Sequence, residues 1–249
     1  MRVELLWLGQ AGFALRGDGR LLLIDPYLSD HLVLKYRGTD RPHDRLMPPP
    51  WRAEEVRPLT AVLCSHRHGD HMDPVALPIL QENNPRCRFI LPRAELGNAG
   101  IAATGMNAEE TLTVDGVTIT AIAAAHEDLK LNDLGEHYFL GYIVRLAGTT
   151  IYHSGDCVPY DGLPERLARE KIDIALLPVN GRGKGVLGNF TFEEATALCR
   201  AAGIVKVIPH HFGMFGFNTL SAGDLERHAA EASGPPQALI PRIGIWSQV

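Results

Sequence analysis

Cysteine is scarce in this chain. It occurs four times, at positions 64, 87, 157 and 199, and no Cys-x-x-Cys pair is present. That excludes a disulfide framework, a zinc knuckle and a thioredoxin-like motif, and suits a reduced, cytoplasmic protein. Long apolar runs are missing as well. No stretch reaches the roughly 20 residues that a membrane-spanning helix needs. Glu4 and Gly9 interrupt the N-terminal apolar run too early for a secretory leader. Nor is there an excess of positive charge: 24 Lys and Arg stand against 29 Asp and Glu, a net charge of −5. A protein that grips long nucleic acid through its phosphates needs the opposite balance. No repeat of fixed period is visible. What remains is a globular composition, 45 % hydrophobic and 21 % charged, in 249 residues read as one domain.

The apolar pattern predicts a strand-rich chain in two halves. Strands are expected over Val3 to Leu8, Gly12 to Leu15, Leu21 to Ile24, Leu59 to Cys64 and Cys87 to Leu91. Thr111 to Val114 and Val117 to Ile122 flank an Asp115-Gly116 hairpin turn. Phe139 to Arg145, Thr149 to His153, Ile172 to Leu177 and Val205 to Ile208 continue the series. Asp73-Pro74 opens one helix, and short helices are expected over Arg93 to Asn98 and Leu163 to Glu170. Thr191 and Glu194 form a capping box for a helix running to about Ala202, and Ser221 to Ala232 is a further helix. The implied architecture is α/β: two packed sheets with helices outside. The segment 29–57, rich in Pro, Arg, His and Asp, fits no element. It reads equally as a flap over a site or as a disordered insert.

Against this background one run stands out: Ser65-His66-Arg67-His68-Gly69-Asp70-His71. Imidazoles and a carboxylate this close, just after a buried strand, are the ligand set for zinc and similar ions. Further candidates follow other strand-like runs. They are His126, Asp156 in His153-Ser154-Gly155-Asp156, and the pair His210-His211. Each is weak alone, since a lone histidine is more often structural. The shared strand-then-ligand layout is what makes them a set.

This set resembles the metallo-β-lactamase superfamily. Leu6-Trp7-Leu8-Gly9-Gln10-Ala11-Gly12-Phe13, Leu23-Ile24-Asp25-Pro26 and Leu177-Pro178-Val179-Asn180-Gly181 narrow the likeness to the branch containing the L-ascorbate-6-phosphate lactonase. The resemblance covers nearly the whole chain. It implies a four-layer αββα sandwich and two divalent ions, zinc or manganese, with iron permitted. One ion would be held by His66, His68 and His126, and the other by Asp70, His71 and His211, with Asp156 bridging. Asp25 and His210 would stand behind the ligands. Two departures matter. Gln10 replaces a histidine common in this branch. His126 is kept where the phosphorylated-ascorbate lactonase is unusual, which favours a complete two-metal site and weakens transfer of that one substrate.

The expected chemistry is hydrolysis by a hydroxide formed between the ions, with Asp70 and Asp156 as catalytic carboxylates. The expected substrate is a small anionic ester, lactone or phosphoester. The competing readings are a nucleic-acid phosphodiesterase and a metal-bound ligand sensor without catalysis. For the substrate, Arg182 and Lys184 in the Gly-rich loop 180–185 offer anion contacts, although the loop lacks a P-loop ending and reads equally as plain surface. Asn189 and His137 are further pocket candidates. His31, Lys35, Tyr36, Arg37 and Trp51 lie in the insert. The expected partner is a small molecule, with neither long nucleic acid nor membrane, and with homo-oligomers allowed.

Overall fold

The computed structural model describes residues 3–182 and 188–249, so Lys184 lies outside the described residues. The first sheet holds β1 (Glu4–Gly9), β2 (Gly12–Gly17), β3 (Arg20–Ile24), β4 (Ala61–Leu63), β5 (Arg88–Pro92) and β6 (Thr104–Met106) in that order, with the C-terminal β14 (Trp246–Gln248) beside β1. The second sheet runs from β7 (Thr111–Val114) through β8 (Val117–Ala123), β9 (Leu140–Leu146), β10 (Thr149–His153), β11 (Ile174–Pro178) and β12 (Lys206–His210) to β13 (Gln237–Ala238). β1 to β3 form an antiparallel meander, whereas β3 to β6 are parallel. The second sheet repeats this mixture, antiparallel from β7 to β10 and parallel from β10 to β13.

Side-chain alternation explains the layers. In β1, Leu5 and Trp7 join the core shared with the second sheet, while Leu6 and Leu8 join a separate core on the opposite face. Because the strand period is 2, one strand can feed two cores only if both faces are covered. The outer face of the first sheet is covered by helix α2 (Ala76–Asn83), which contributes Ala76, Leu77 and Leu80. Helices α3 (Leu163–Ala168) and α4 (Phe192–Ala202) pack together, and α4 lies against β11 and β12. The result is the expected αββα sandwich.

Local chemistry sets the helix starts. The Thr191–Glu194 capping box of α4 is made in both directions. The same device, formed by Ser221 and Asp224, opens α5 (Ala222–Glu231). Asp73 does double duty. Its Oδ1 accepts from the Val75 and Ala76 backbone amides at 2.9 and 3.0 Å, and its Oδ2 accepts from those of Leu28 and Ser29 at 3.0 and 2.8 Å. It thereby pins the start of the 29–57 segment to the entry of α2. That segment carries helix α1 (His31–Lys35) and a 3₁₀ turn at Ala53–Glu55.

The inserted segment is seated on its surroundings. Leu32 lies over Gly69, where an added Cβ would come within 2.9 Å of Leu32 Cδ2. Arg45 donates to the carbonyls of Tyr27 and Ser29 at 2.9 and 2.8 Å, and its guanidinium stacks 3.9 Å from the Tyr27 ring centre. Leu46 N donates to Met214 O at 2.9 Å, tying the segment to the chain after β12. Small departures from the sequence reading occur elsewhere. Arg93–Asn98 is a 3₁₀ helix, and the short strands β6, β13 and β14 lack the length for a periodic signal.

Candidate metal centre

Every candidate ligand emerges just past a strand end, and the two sheets bring those ends together. The Ser65–His71 run follows β4, His126 follows β8, Asp156 follows β10 and His211 follows β12. Gln10 sits in the turn between β1 and β2, and Asp25 follows β3. Three of these residues, Gln10, Asp25 and His211, take left-handed backbone conformations, with φ of 51°, 47° and 63°. Such conformations cost about 1–3 kcal/mol each and persist where surrounding bonds enforce them. Here those bonds are visible: Asp25 N donates to Leu63 O and His211 N to Gln10 O, both at 2.9 Å.

The donor atoms collect in two groups. His66, His68, His126 and Asp156 each offer a ligand atom, all within 4.8 Å of one another; Asp70, His71 and His211 do the same. Asp156 faces both groups. Its Oδ1 lies 3.3 Å from His71 Nε2 and 3.4 Å from His211 Nε2, and its Oδ2 lies 3.7 Å from His126 Nε2. Asp70 Oδ2 is 3.7 Å from His211 Nε2 and 3.8 Å from His71 Nε2.

The hydrogen bonds behind these atoms fix which nitrogen faces inward. Asp25 is fully buried; its Oδ2 lies 2.7 Å from His71 Nδ1 and accepts from Ser65 Oγ at 2.6 Å, while its Oδ1 accepts from Ser65 N at 2.7 Å. Ser65 Oγ, having given its proton to Asp25, accepts from His66 Nδ1 at 3.0 Å. Both histidines then carry their proton on Nδ1 and point a bare Nε2 at the centre. In that state His71 Nε2 and Asp156 Oδ1, both buried and without hydrogen-bond partners among the described residues, face each other as two lone pairs. A positive charge satisfies both, either a proton on His71, whose pKa the surrounding carboxylates raise, or a metal ion in its place, and in this way the donor set fits a metal ion.

Electrostatics agree. Burial would lower the His71 pKa, but the Asp156, Asp25 and Asp70 carboxylates raise it well above its ordinary value. Burial would raise Asp156, yet the His211 and His71 imidazoles hold it well below the usual carboxylate range. Asp70 is likewise lowered by His71 and His211 against the effect of burial. His66 is pushed far down by burial and by its histidine neighbours, and His68 is lowered chiefly by burial. The basin is a cation-seeking patch inside a low-dielectric wall.

The remaining candidates fall in different places. Asn189 lines the cavity above the basin, and its Oδ1 accepts from Cys157 N at 3.2 Å. His210 is fully buried, stacks on His153 at 4.8 Å, and has no hydrogen-bond partner among the described residues. Arg182 is turned away: it pairs with Glu194 and donates to Asn189 O, bracing the loop that carries Asn189. His137 bonds Asn107 Oδ1 at 2.8 Å. Neither Arg182 nor His137 borders the cavity; Arg182 is committed to Glu194 of α4 and His137 to Asn107 of the loop between β6 and β7.

A cavity of about 700 Å³ opens over both donor groups. From the insert, Lys35 and Tyr36 border it, whereas His31 and Arg37 do not, and Trp51 packs on Trp246 instead. Several lining residues had carried no sequence signal, among them Arg67, Asn98, Phe215 and Phe217. Gln10 is the most consequential of the unexpected contacts. Its Nε2 donates to Asp70 Oδ2 at 2.8 Å and lies 3.1 Å from His211 Nε2. Gly188 is another: a Cβ there would meet His126 Nδ1 at 2.4 Å, so this glycine lets His126 sit where it does. An isolated glycine in a loop gives no such signal by itself.

Comparison with known proteins places the chain. A beta-lactamase superfamily domain model matches residues 20–212. A UPF0173 metal-dependent hydrolase of Methanoculleus marisnigri is 30 % identical over 222 residues, covering 86 % of this chain and 82 % of that one. The structure of a possible metal-dependent hydrolase from Veillonella parvula matches with a TM-score of 0.79 at 18 % identity, over 100 % of both chains. An isothiocyanate hydrolase from Delia radicum gut bacteria matches at 0.76 and 22 % identity, over 98 % of each chain. The two structural likenesses speak to the fold, and the family match goes further: this chain belongs to the beta-lactamase superfamily, with UPF0173 metal-dependent hydrolases among its relatives.

Proposed function

We propose that the chain is a two-metal hydrolase acting on an anionic ester, lactone or phosphoester. The observation that carries this reading is the Asp156 carboxylate, which turns one oxygen toward each donor group. His66, His68 and His126 would hold one ion, Asp70, His71 and His211 the other, and Asp156 would join them. Zinc or manganese suits this nitrogen and oxygen set, and iron is compatible with it. When bound, such a pair lowers the pKa of water and stabilises developing negative charge on the substrate.

The chain's own groups do the rest. Asp70 borders the cavity, so its carboxylate can accept a hydrogen bond from the attacking water and aim it. Asp25 and Ser65 hold the His66 and His71 rings so that little reorganisation is needed on binding. Lys35, Arg41 and Arg67 supply positive charge along the cavity for an anionic substrate. The motifs favour the lactonase-type branch of the family. A cytoplasmic, small-molecule enzyme, free to form homo-oligomers, fits the four unpaired cysteines. No helix among the described residues is long and apolar enough to cross a membrane.

The test is metal analysis of the purified protein together with a panel of lactones, phosphodiesters and thioesters, run separately with zinc and manganese. Two ions per chain and turnover of a small anionic substrate are expected. Protein without stoichiometric metal would overturn the reading, as would preference for a polynucleotide.

A further inference from the structure

We infer that the part of the cavity walled by the insert and the segment after β12 is a recognition site for an aryl group on an anionic substrate. This inference rests on the hydrolase reading for the identity of the bond cleaved, and on separate residues for the recognition.

Volume gives the first indication. Ligand cavities commonly span roughly 300–1,000 Å³, and at about 700 Å³ this one has space well beyond the bond being cleaved. Charge gives the second. Among the described lining residues the only acids are Asp70 and Asp156, both in the metal basin, whereas Lys35, Arg41 and Arg67 all border the cavity. Arg67 is partly offset by the buried Glu95 at 3.7 Å, but outside the basin the described lining residues include no acid, and this suits an anion.

The aromatic wall is the third and most specific indication. Tyr36 and His43, from the insert, stack at 4.1 Å with 23° between their planes. His43 meets Phe215 at 4.8 Å and Phe217 at 4.7 Å, from the segment after β12. All four rings border the cavity, and Leu32 is the one aliphatic side chain among its described lining residues. A site for an alkyl chain is normally lined by aliphatic residues. A wall of rings instead offers edges and faces with opposite partial charge, which pair best with another ring. Burial lowers the His43 pKa, so this ring is a neutral part of the wall at neutral pH.

The wall is also held in place. The Arg45 side chain bonds the carbonyls of Tyr27 and Ser29, and Leu46 N bonds Met214 O, so the two ring-bearing segments are joined without any ligand. A preformed wall loses little ordering entropy on binding. The insert therefore serves as a fixed specificity element. The substrate class it selects is an aryl-bearing carboxylate or phosphate whose ester or lactone bond reaches the basin.

The test is isothermal titration of zinc-loaded and metal-free protein with phenylphosphonate, cyclohexylphosphonate and methylphosphonate. Phenylphosphonate is expected to bind at least tenfold more tightly than methylphosphonate and at least threefold more tightly than cyclohexylphosphonate. In Tyr36→Ala and Phe217→Ala the phenyl-to-methyl ratio should fall below threefold, while methylphosphonate affinity stays unchanged. Equal affinity for the three probes in the zinc-loaded protein would overturn the aryl site and leave the hydrolase reading standing. A ratio that survived in both variants would overturn it too. If the protein takes up no zinc yet keeps the phenyl preference, the aryl site stands and the hydrolase reading fails.

Discussion

The two halves of the basin are built to different standards. The half around Asp70, His71 and His211 is enclosed. Its His71 is backed by a buried carboxylate, and Gln10 touches both other members. The half around His66, His68 and His126 is more open. His68 is exposed, His126 is partly so, and the ring of His126 is placed by the absence of a side chain at Gly188 rather than by a buried acid. Asp156 is common to both. The difference teaches that a ligand set of similar chemistry can be preorganised in two ways, by hydrogen bonding from behind or by steric permission from the side. The two ions should therefore bind with different affinities and respond to different substitutions.

The largest effect is expected where the halves meet. Asp156→Ala removes the shared carboxylate, and should lower metal content at both positions and reduce hydrolysis by about a thousandfold, a loss of several kcal/mol of transition-state stabilisation. Metal analysis and steady-state rates check this; a variant retaining full activity would break the comparison at its root. Asp25→Asn comes next and strikes the enclosed half. Without the carboxylate behind His71, affinity in that half should drop about 10–100-fold, with a smaller loss in the other, which Asp25 reaches only through Ser65 and His66. Calorimetric metal titration resolves the two steps, and equal losses in both would contradict the assignment of Asp25. Gly188→Ala is the converse experiment. The new methyl group would collide with His126, so the open half should weaken by roughly tenfold while the enclosed half keeps its affinity. Gln10→Leu should have the smallest effect. Its amide occupies lone pairs on Asp70 and His211 that an ion also needs. Removing that competitor should tighten the enclosed half by about three- to tenfold, since such charge-assisted bonds are individually modest. Weaker binding would show that Gln10 supports the ion instead.

Much of this arrangement was legible in the sequence. Apolar runs located most of the strands, and ligands placed just past strand ends were recognisable because two packed sheets leave those ends on one rim. The candidate ligands could therefore be named before the fold was seen, while Asp25 and the choice of His211 over His210 came from the resemblance to the metallo-β-lactamase superfamily. Arg182 and His137 show what local sequence does not convey. Both are polar residues near strand ends, yet Glu194 and Asn107, set by the loop path, draw them away from the cavity. Gln10 and Gly188 matter through contacts spanning 201 and 62 positions of the chain, to His211 and His126, which no spacing rule anticipates. The 29–57 segment had no periodicity to read because its order comes from anchoring: Asp73, Arg45 and the backbone of Met214 hold it in place.

The central claim is that one carboxylate joins two ions of unequal setting. Anomalous X-ray diffraction from crystals loaded with zinc tests it most directly. The account predicts two peaks, roughly 3.5–4 Å apart as in other two-metal sites, one on each side of the Asp156 carboxylate. A single peak, or two peaks of which only one touches Asp156, would contradict it.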